Sequence, residues 1–315
     1  MNIKKVGLTA LAASLVSVSA HAGEMSVAGS ASIGLKNTSK TSTGKSWTMG
    51  NQLTFSGSGE LDNGMNVSLS FVIDQNDDST KSTAAQLDNA PFDSHSVTVS
   101  SDAMGSLKFS GEGGSSAQAA IDTTAAGDLW DNGSGFDTPK SSEGGNNSFI
   151  YTVPSLMDDL TLQGSYSPGS AGGPSATAFR VGFTGVEGLS VDFAEGQIET
   201  VGSEADVTTI KGSYAISSFT LSASSTEYDA ASGDETVDSY NIAYTVSDDL
   251  SIAYGTETIE TQGSTVDEEA DKFNVSYTTG GVTLSATQYN FEGSGNIAGA
   301  AGEKERWSLS ATFAF

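Results

Sequence analysis

The chain has 315 residues and carries 13 Lys+Arg against 39 Asp+Glu, a net charge of −26 at pH 7. That balance excludes a nucleic-acid binder, which needs a basic footprint. There is no cysteine, and 37 glycines stand against 5 prolines, so the chain is held by something other than disulfides, and turns and strands fit it better than collagen or a proline-rich linker.

The first 22 residues read as a cleaved export signal. Lys4 and Lys5 form the positive start, an apolar stretch runs from Val6 to Val18, and Ala20-His21-Ala22 has the small-x-small pattern of a cleavage site. The stretch is too short to span a bilayer. The mature unit is expected to be one domain over 23–315. Without Lys4 and Lys5, 11 basic residues remain against 39 acidic ones.

From Gly23 onward the apolar period is two. Met25, Val27, Ala31, Ile33 and Leu35 share the first face, and Trp47, Met49, Leu53 and Phe55 the second. Asp62-Asn63-Gly64 is a tight-hairpin signal. Met65 to Ile73, Val97-Val99 and Leu107-Phe109 continue the pattern. After 112–147 it resumes at Phe149, Tyr151 and Val153, and Pro154 ends that strand. Leu160-Leu162, Phe179-Phe183, Leu189-Phe193, Ile210-Ile216, Phe219-Ala223, Tyr240-Val246, Leu250-Tyr254, Phe273-Tyr277, Val282-Ala286 and Trp307-Phe315 follow. The expectation is sixteen strands.

The connections alternate. Turns of a few residues join one end of the strands. At the other end longer spans are expected: 37–45, 74–93, 112–147, 167–175, 195–204, 226–236, 257–271 and 290–305. Short turns at one end and long loops at the other is the layout of a transmembrane barrel, whose strands carry a weaker signal than a membrane helix. A β-sandwich does not need so many up-and-down strands, and a solenoid would show a fixed repeat.

Charge parity says which face is which. Lys36, Lys108, Arg180, Lys211, Lys272 and Arg306 all have the parity opposite to the apolar residues. Lys40, Lys45, Lys81, Lys140 and Lys304 are read as loop residues. The apolar face therefore meets lipid, where a mid-bilayer cation costs about 2–4 kcal/mol. The polar face encloses water, with backbone groups satisfied between strands and no open edge. Trp47, Phe273, Trp307 and Phe149 are expected toward the long-loop end. Tyr214, Phe219, Tyr244, Phe313 and Phe315 are expected toward the short-turn end, as two interfacial girdles.

Other motifs fail. Gly44-Lys45-Ser46 lacks the earlier glycine of a phosphate loop. The run Asp74 to Asp78 lacks the glycine and glutamate of a calcium loop, so no metal set is assigned and no cofactor is expected; loosely bound calcium on the acidic loops is left open. After cleavage His95 is the one histidine left, with lipid-facing parity, which argues against an enzyme.

The signal, the sixteen strands, the long third loop, the terminal Phe315 and the stretch SFIYTVPSLMDDLTLQGSY (148–166) together resemble the Gram-negative general diffusion porins. The likeness is to the short-looped kind found in alphaproteobacteria, and it covers the whole mature chain. It implies an all-β, 16-stranded antiparallel transmembrane β-barrel with the third loop, 112–147, folded into the lumen as a constriction. It implies Asp122, Asp128, Asp131 and Asp137 on the acidic side of the pore, with Lys108, Arg180 and Lys211 on the wall. Lys36, Lys272 and Arg306 fall nearer the outer mouth. The family's arginine cluster is missing, because Arg180 and Arg306 are the two arginines present.

The resemblance also implies a homotrimer in the Gram-negative outer membrane, in contact with lipid and lipopolysaccharide. It implies Phe315 as the assembly signal read by the barrel-assembly machinery. The expected function is passive diffusion of ions and small hydrophilic solutes, with mild cation preference from the acidic loops. The alternative is a non-conducting surface barrel or adhesin with acidic ligand-binding loops.

Overall fold

The computed structural model describes residues 25–38, 44–74, 93–133, 135–142, 146–169 and 173–315. The expected export signal, Lys40, Lys81 and the acidic run after Asp74 lie outside the described residues. The first eight strands are β1 (Met25–Thr38), β2 (Lys45–Glu60), β3 (Asn66–Asp74), β4 (Ser94–Ser101), β5 (Gly105–Glu112), β6 (Ser148–Thr152), β7 (Leu160–Ser167) and β8 (Ser175–Val186). The next eight are β9 (Leu189–Thr200), β10 (Ser203–Ile216), β11 (Phe219–Ala230), β12 (Glu235–Ser247), β13 (Leu250–Thr261), β14 (Glu268–Thr279), β15 (Val282–Glu292) and β16 (Lys304–Ala314).

Each strand pairs antiparallel with its neighbours in sequence, and β1 pairs with β16, so the sheet closes into a barrel. The sixteen expected strands are all present. Closure leaves no unpaired edge, the condition for crossing hydrocarbon with strands. No helix among the described residues is long and apolar enough to cross a membrane.

The period-two pattern sets the two surfaces. Leu53, Leu69, Val97, Leu107, Phe179, Ile210, Leu221, Ile242, Phe273, Leu284 and Leu309 are exposed on the outer face. A groove of about 510 Å³ on this face, over Gly212 and Ala223, is walled by Tyr214, Leu221, Tyr240 and Ile242. Exposed apolar surface on this scale marks contact with something other than water. Lys45 begins β2 on this outer side, at the strand's end, with its ammonium 5.9 Å from the Trp307 ring. Near a headgroup layer such a chain keeps its charge in water while its stem covers apolar surface.

The closing seam explains the last residue. Gly29 donates its N–H to the Phe315 carbonyl at 2.7 Å, and Phe315 donates to the Gly29 carbonyl at 3.0 Å. A Cβ on Gly29 would lie 2.4 Å from the Phe315 ring, so glycine is what lets that ring lie against β1.

One expectation of loops is corrected. The span 195–204 is two strands joined by Val201-Gly202, with Gly202 at φ 87°. Only four residues separate β11 from β12, and six separate β13 from β14. Alternation continues through these spans with its sense reversed. Outward positions become polar at Glu195, Glu199, Asp206, Glu227, Asp238, Glu260 and Glu269. Inward positions become apolar, and Ala205, Val207, Val237, Ile259, Ala270 and Phe291 are buried. A pattern anchored on outward apolar residues therefore reads these strand ends as loops. The extension leaves Phe273 in mid-strand, below an outward acidic collar.

Candidate functional site: the loop seated on the inner wall

The segment 113–147, here L3, follows β5. Its described residues run along the polar face of the second half of the barrel. Hydroxyls of the wall accept its first main-chain donors: Ala117 N–H to Ser165 Oγ at 2.8 Å, Ala125 N–H to Ser224 Oγ at 2.8 Å and Ala126 N–H to Ser239 Oγ at 2.9 Å. The Gln118 amide donates to Thr209 Oγ1, and its oxygen accepts both the N–H and the hydroxyl of Ser142. That turns L3 back on itself, and Ser116 and Ser142 complete the fold at 2.6 Å.

Three glutamates on successive strands hold the remainder. Glu257 on β13 accepts the Leu129 and Trp130 N–H groups, at 3.3 and 3.0 Å. These donors begin a short 3-10 helix, Leu129–Asn132, whose first N–H groups lack partners within the turn. Glu268 on β14 accepts from Asp137 N–H and Gly295 N–H, both at 2.7 Å, and so ties L3 to the last loop. Glu235 on β12 accepts from Lys140 N–H at 2.7 Å. All three carboxylates are buried. A buried acid is costly unless it is hydrogen-bonded, and charge-assisted bonds to backbone N–H groups meet that need.

Packing fits the same seat. Leu129 is fully buried with Ala126, Ala270 and Phe291, and Phe136 and Tyr289 border the cluster. Two wall glycines make room. A Cβ on Gly255 would meet the Ala126 Cβ at 2.8 Å, and one on Gly196 would meet the Ser142 Cβ at 2.4 Å.

The expected basic residues divide into three groups. Lys211 and Lys272 lie beneath L3 and donate to the carbonyls of Thr123 and Ala126. Arg306, expected near the outer mouth with Lys272, reaches L3 as well and donates to the Asn132 carbonyl at 2.9 Å. Arg180 is paired with Asp192 on β9 at 2.7 Å and also donates to Gln163 on β7. Lys108 on β5 and Lys36 on β1 face inward, and their side chains make no hydrogen bond or ion pair among the described residues.

The acids differ from one another too. Asp128 sits at φ 50° and exchanges hydrogen bonds with Thr124, main chain to side chain in both directions. Asp131 and Asp137 are exposed, and the Asp137 carboxylate accepts from Asn296 at 3.4 Å. Burial, and then the charge of Asp128, push the Asp122 carboxyl up to about 6, against the pull of Ser141 and Lys211.

A folded-state value above the ordinary one means that the folded loop holds this proton more tightly than the unfolded chain does. The resulting penalty is absent below about pH 4 and complete above about pH 6. Asp122→Asn should therefore melt close to the native protein at pH 3.5 and above it at pH 7, read from the heat-modifiable gel shift at each pH.

Asp192 and the three glutamates were not expected from the sequence. Inward parity was available for Asp192, which sits on the lumen face between Gly182 and Lys211. His95 faces outward as expected, with Nδ1 3.9 Å from Glu112. No group of three or more His, Asp or Glu residues suited to a metal occurs among the described residues.

A family model described as Gram-negative porin matches residues 7–249. The chain belongs to the Gram-negative porin family. No curated protein matches it. Among solved structures, a loop-deleted form of OmpT, an outer-membrane protein of Vibrio cholerae, aligns at TM-score 0.70 and 15% identity, covering 93% of this chain and all of that one. The trimer form of the same Vibrio protein aligns at TM-score 0.67 and 15% identity, with the same coverage of both chains. An anion-selective porin from Comamonas acidovorans aligns at TM-score 0.69 and 13% identity, again covering 93% of this chain and all of the other. These likenesses speak for the fold. The porin is an outer-membrane barrel of a non-enzymatic family.

Proposed function

We propose that this porin is a water-filled channel for passive diffusion of ions and small hydrophilic solutes. The observation that carries the reading is the one-sided seat of L3. The loop bonds to inward residues of β7 and β10–β14 and to Arg306 of β16, while the inward residues of β1–β4 remain half-buried or exposed. Sixteen strands are about the number that leaves an aqueous passage beside such a loop.

L3 acts as the constriction, with Asp131 and Asp137 exposed toward the water and Asp122 and Asp128 behind them. Lys36 and Lys108 stand on the uncovered wall, and Lys211, Lys272 and Arg306 act as fasteners of the loop. Exposed acids at the constriction and mouth raise the local cation concentration, so the preference is mildly for cations. The anion-selective Comamonas porin marks the opposite choice on the same fold.

The trimer form of the Vibrio protein supports a homotrimer here. Export through a cleaved 22-residue signal, contact with lipid and lipopolysaccharide, and recognition of the last strand by the barrel-assembly machinery complete the proposal. Purified protein in a planar bilayer should show stepwise conductance in KCl, with a reversal potential on the potassium side in a salt gradient. Absence of conductance removes the channel reading in favour of a surface barrel. A chloride-side potential removes the cation preference.

A further inference from the structure

The uncovered half of the lumen differs in kind from the covered half. Six serines, Ser26, Ser56, Ser70, Ser96, Ser110 and Ser148, stand opposite one another on β1 through β6 in one register row. Neighbouring strands are about 4.8 Å apart, so the row places one hydroxyl at each such interval.

The row also climbs. Ser26 is the second residue of β1, at the short-turn end, Ser70 is in the middle of β3, and Ser148 opens β6 at the long-loop end. Tilted strands turn a row of register partners into a rising track. Ser26 is exposed, and Ser56, Ser70 and Ser96 are half-buried. Ser110 and Ser148 are buried where L3 leaves and rejoins the wall. The track therefore leads from the short-turn end to the root of the constriction.

Charge is confined to the ends of this wall. On the inner face of β1–β4, Lys36, Glu60 and Asp74 lie at or near strand ends, and every position between them is uncharged. Of the inward cations named above, Lys211, Lys272 and Arg306 are tied to the loop and Arg180 is paired with Asp192, which leaves Lys36, near the end of β1, and Lys108 on β5 facing the passage. Two separated lysines form no ladder of charge opposite Asp131 and Asp137 among the described residues, so the transverse field that would orient dipolar solutes is weak.

We infer that the β1–β4 wall is the specificity-determining surface of this channel and that it favours uncharged, hydroxyl-rich solutes, sugars and polyols. A serine hydroxyl both donates and accepts, as a sugar hydroxyl does. Successive weak contacts along a pore suit passage, because each is strong enough to enter and weak enough to leave. The inference rests on the channel reading above, and its test keeps the two apart.

The triple variant Ser56→Ala, Ser70→Ala, Ser96→Ala changes volume little and leaves both the L3 seat and the lipid face intact. In liposomes its uptake of neutral sugars should fall about threefold or more, as loss of several weak hydrogen bonds implies. Its KCl conductance should match the native channel. A second variant, Ser70→Arg with Ser96→Arg, should shift the reversal potential toward chloride. Unchanged sugar uptake in the triple variant overturns the inference. So does an equal fall in sugar uptake and KCl conductance, and so does an unmoved reversal potential in the arginine pair. A native protein that conducts no salt overturns the channel reading itself, and this inference with it.

Discussion

Glu257→Ala should give a larger and noisier single-channel conductance than the native porin, with the barrel still assembled. The carboxylate is buried and is the acceptor for two adjacent main-chain donors, Leu129 and Trp130. Removing it leaves the buried Leu129 N–H without its acceptor, at about 1–3 kcal/mol, and the half-buried Trp130 N–H as well. Even about 2 kcal/mol lowers the ratio of seated to unseated loop roughly 30-fold. Leu129 then leaves its contacts with Ala270 and Phe291, and Lys272 loses the acid beside it.

Glu268→Ala should act in the same direction and also free the last loop at Gly295. Glu257→Gln, which keeps one acceptor oxygen, should fall between. Glu195→Ala, on the exposed outer collar, serves as the control with native conductance. Native-sized, quiet channels from Glu257→Ala would mean that the hydroxyl contacts and the apolar cluster hold L3 unaided.

Deleting Phe315 should reduce the amount of assembled porin far more than it changes the conductance of the pores that do form. The residue lies at the seam, where it exchanges two main-chain hydrogen bonds with Gly29. Its ring covers the glycine that would otherwise be bare on β1. Without it, the Gly29 N–H and carbonyl lose their partners at the seam, and an unsatisfied group costs about 1–3 kcal/mol where water is excluded. L3 is anchored elsewhere, so the lumen of an assembled pore is unaffected. The measurement compares heat-modifiable protein in outer-membrane fractions with single-channel conductance of the purified remainder. A native yield would place the assembly signal elsewhere. Altered conductance at a native yield would mean that the seam shapes the pore.

Most of the barrel was legible in the chain because lipid imposes a simple rule. Every second residue meets hydrocarbon, and one cation on that face costs more than a typical surface contact gains. Val27, Ile33, Leu221, Ile242 and Leu309 obey the rule, and Lys108, Arg180 and Lys211 obey its complement. The rule lapses above the apolar band. There Glu195 faces outward and Val207 inward, and the strands of 195–204 were read as a loop.

The seat of L3 was not legible, for a different reason. Glu257 and Leu129 are 128 positions apart, and Glu235 and Lys140 are 95 apart. Nothing local to a glutamate in a β-strand distinguishes an anchor from a solvated charge. Lys272 and Arg306 had the right parity for the lumen, and their bonds to the Ala126 and Asn132 carbonyls depend on where the loop lies. The six serines were visible as polar, inward residues. Only the pairing register aligns them into one row.

By itself, then, the sequence determined the strand count, the outward face and the need for a sheet without an open edge, because each follows from backbone and side-chain contact with a solvent that has no water. The tertiary structure alone decided which inward charges fasten the loop and which face the passage. Those roles depend on single polar contacts between distant strands, and such contacts leave no periodic trace in the chain.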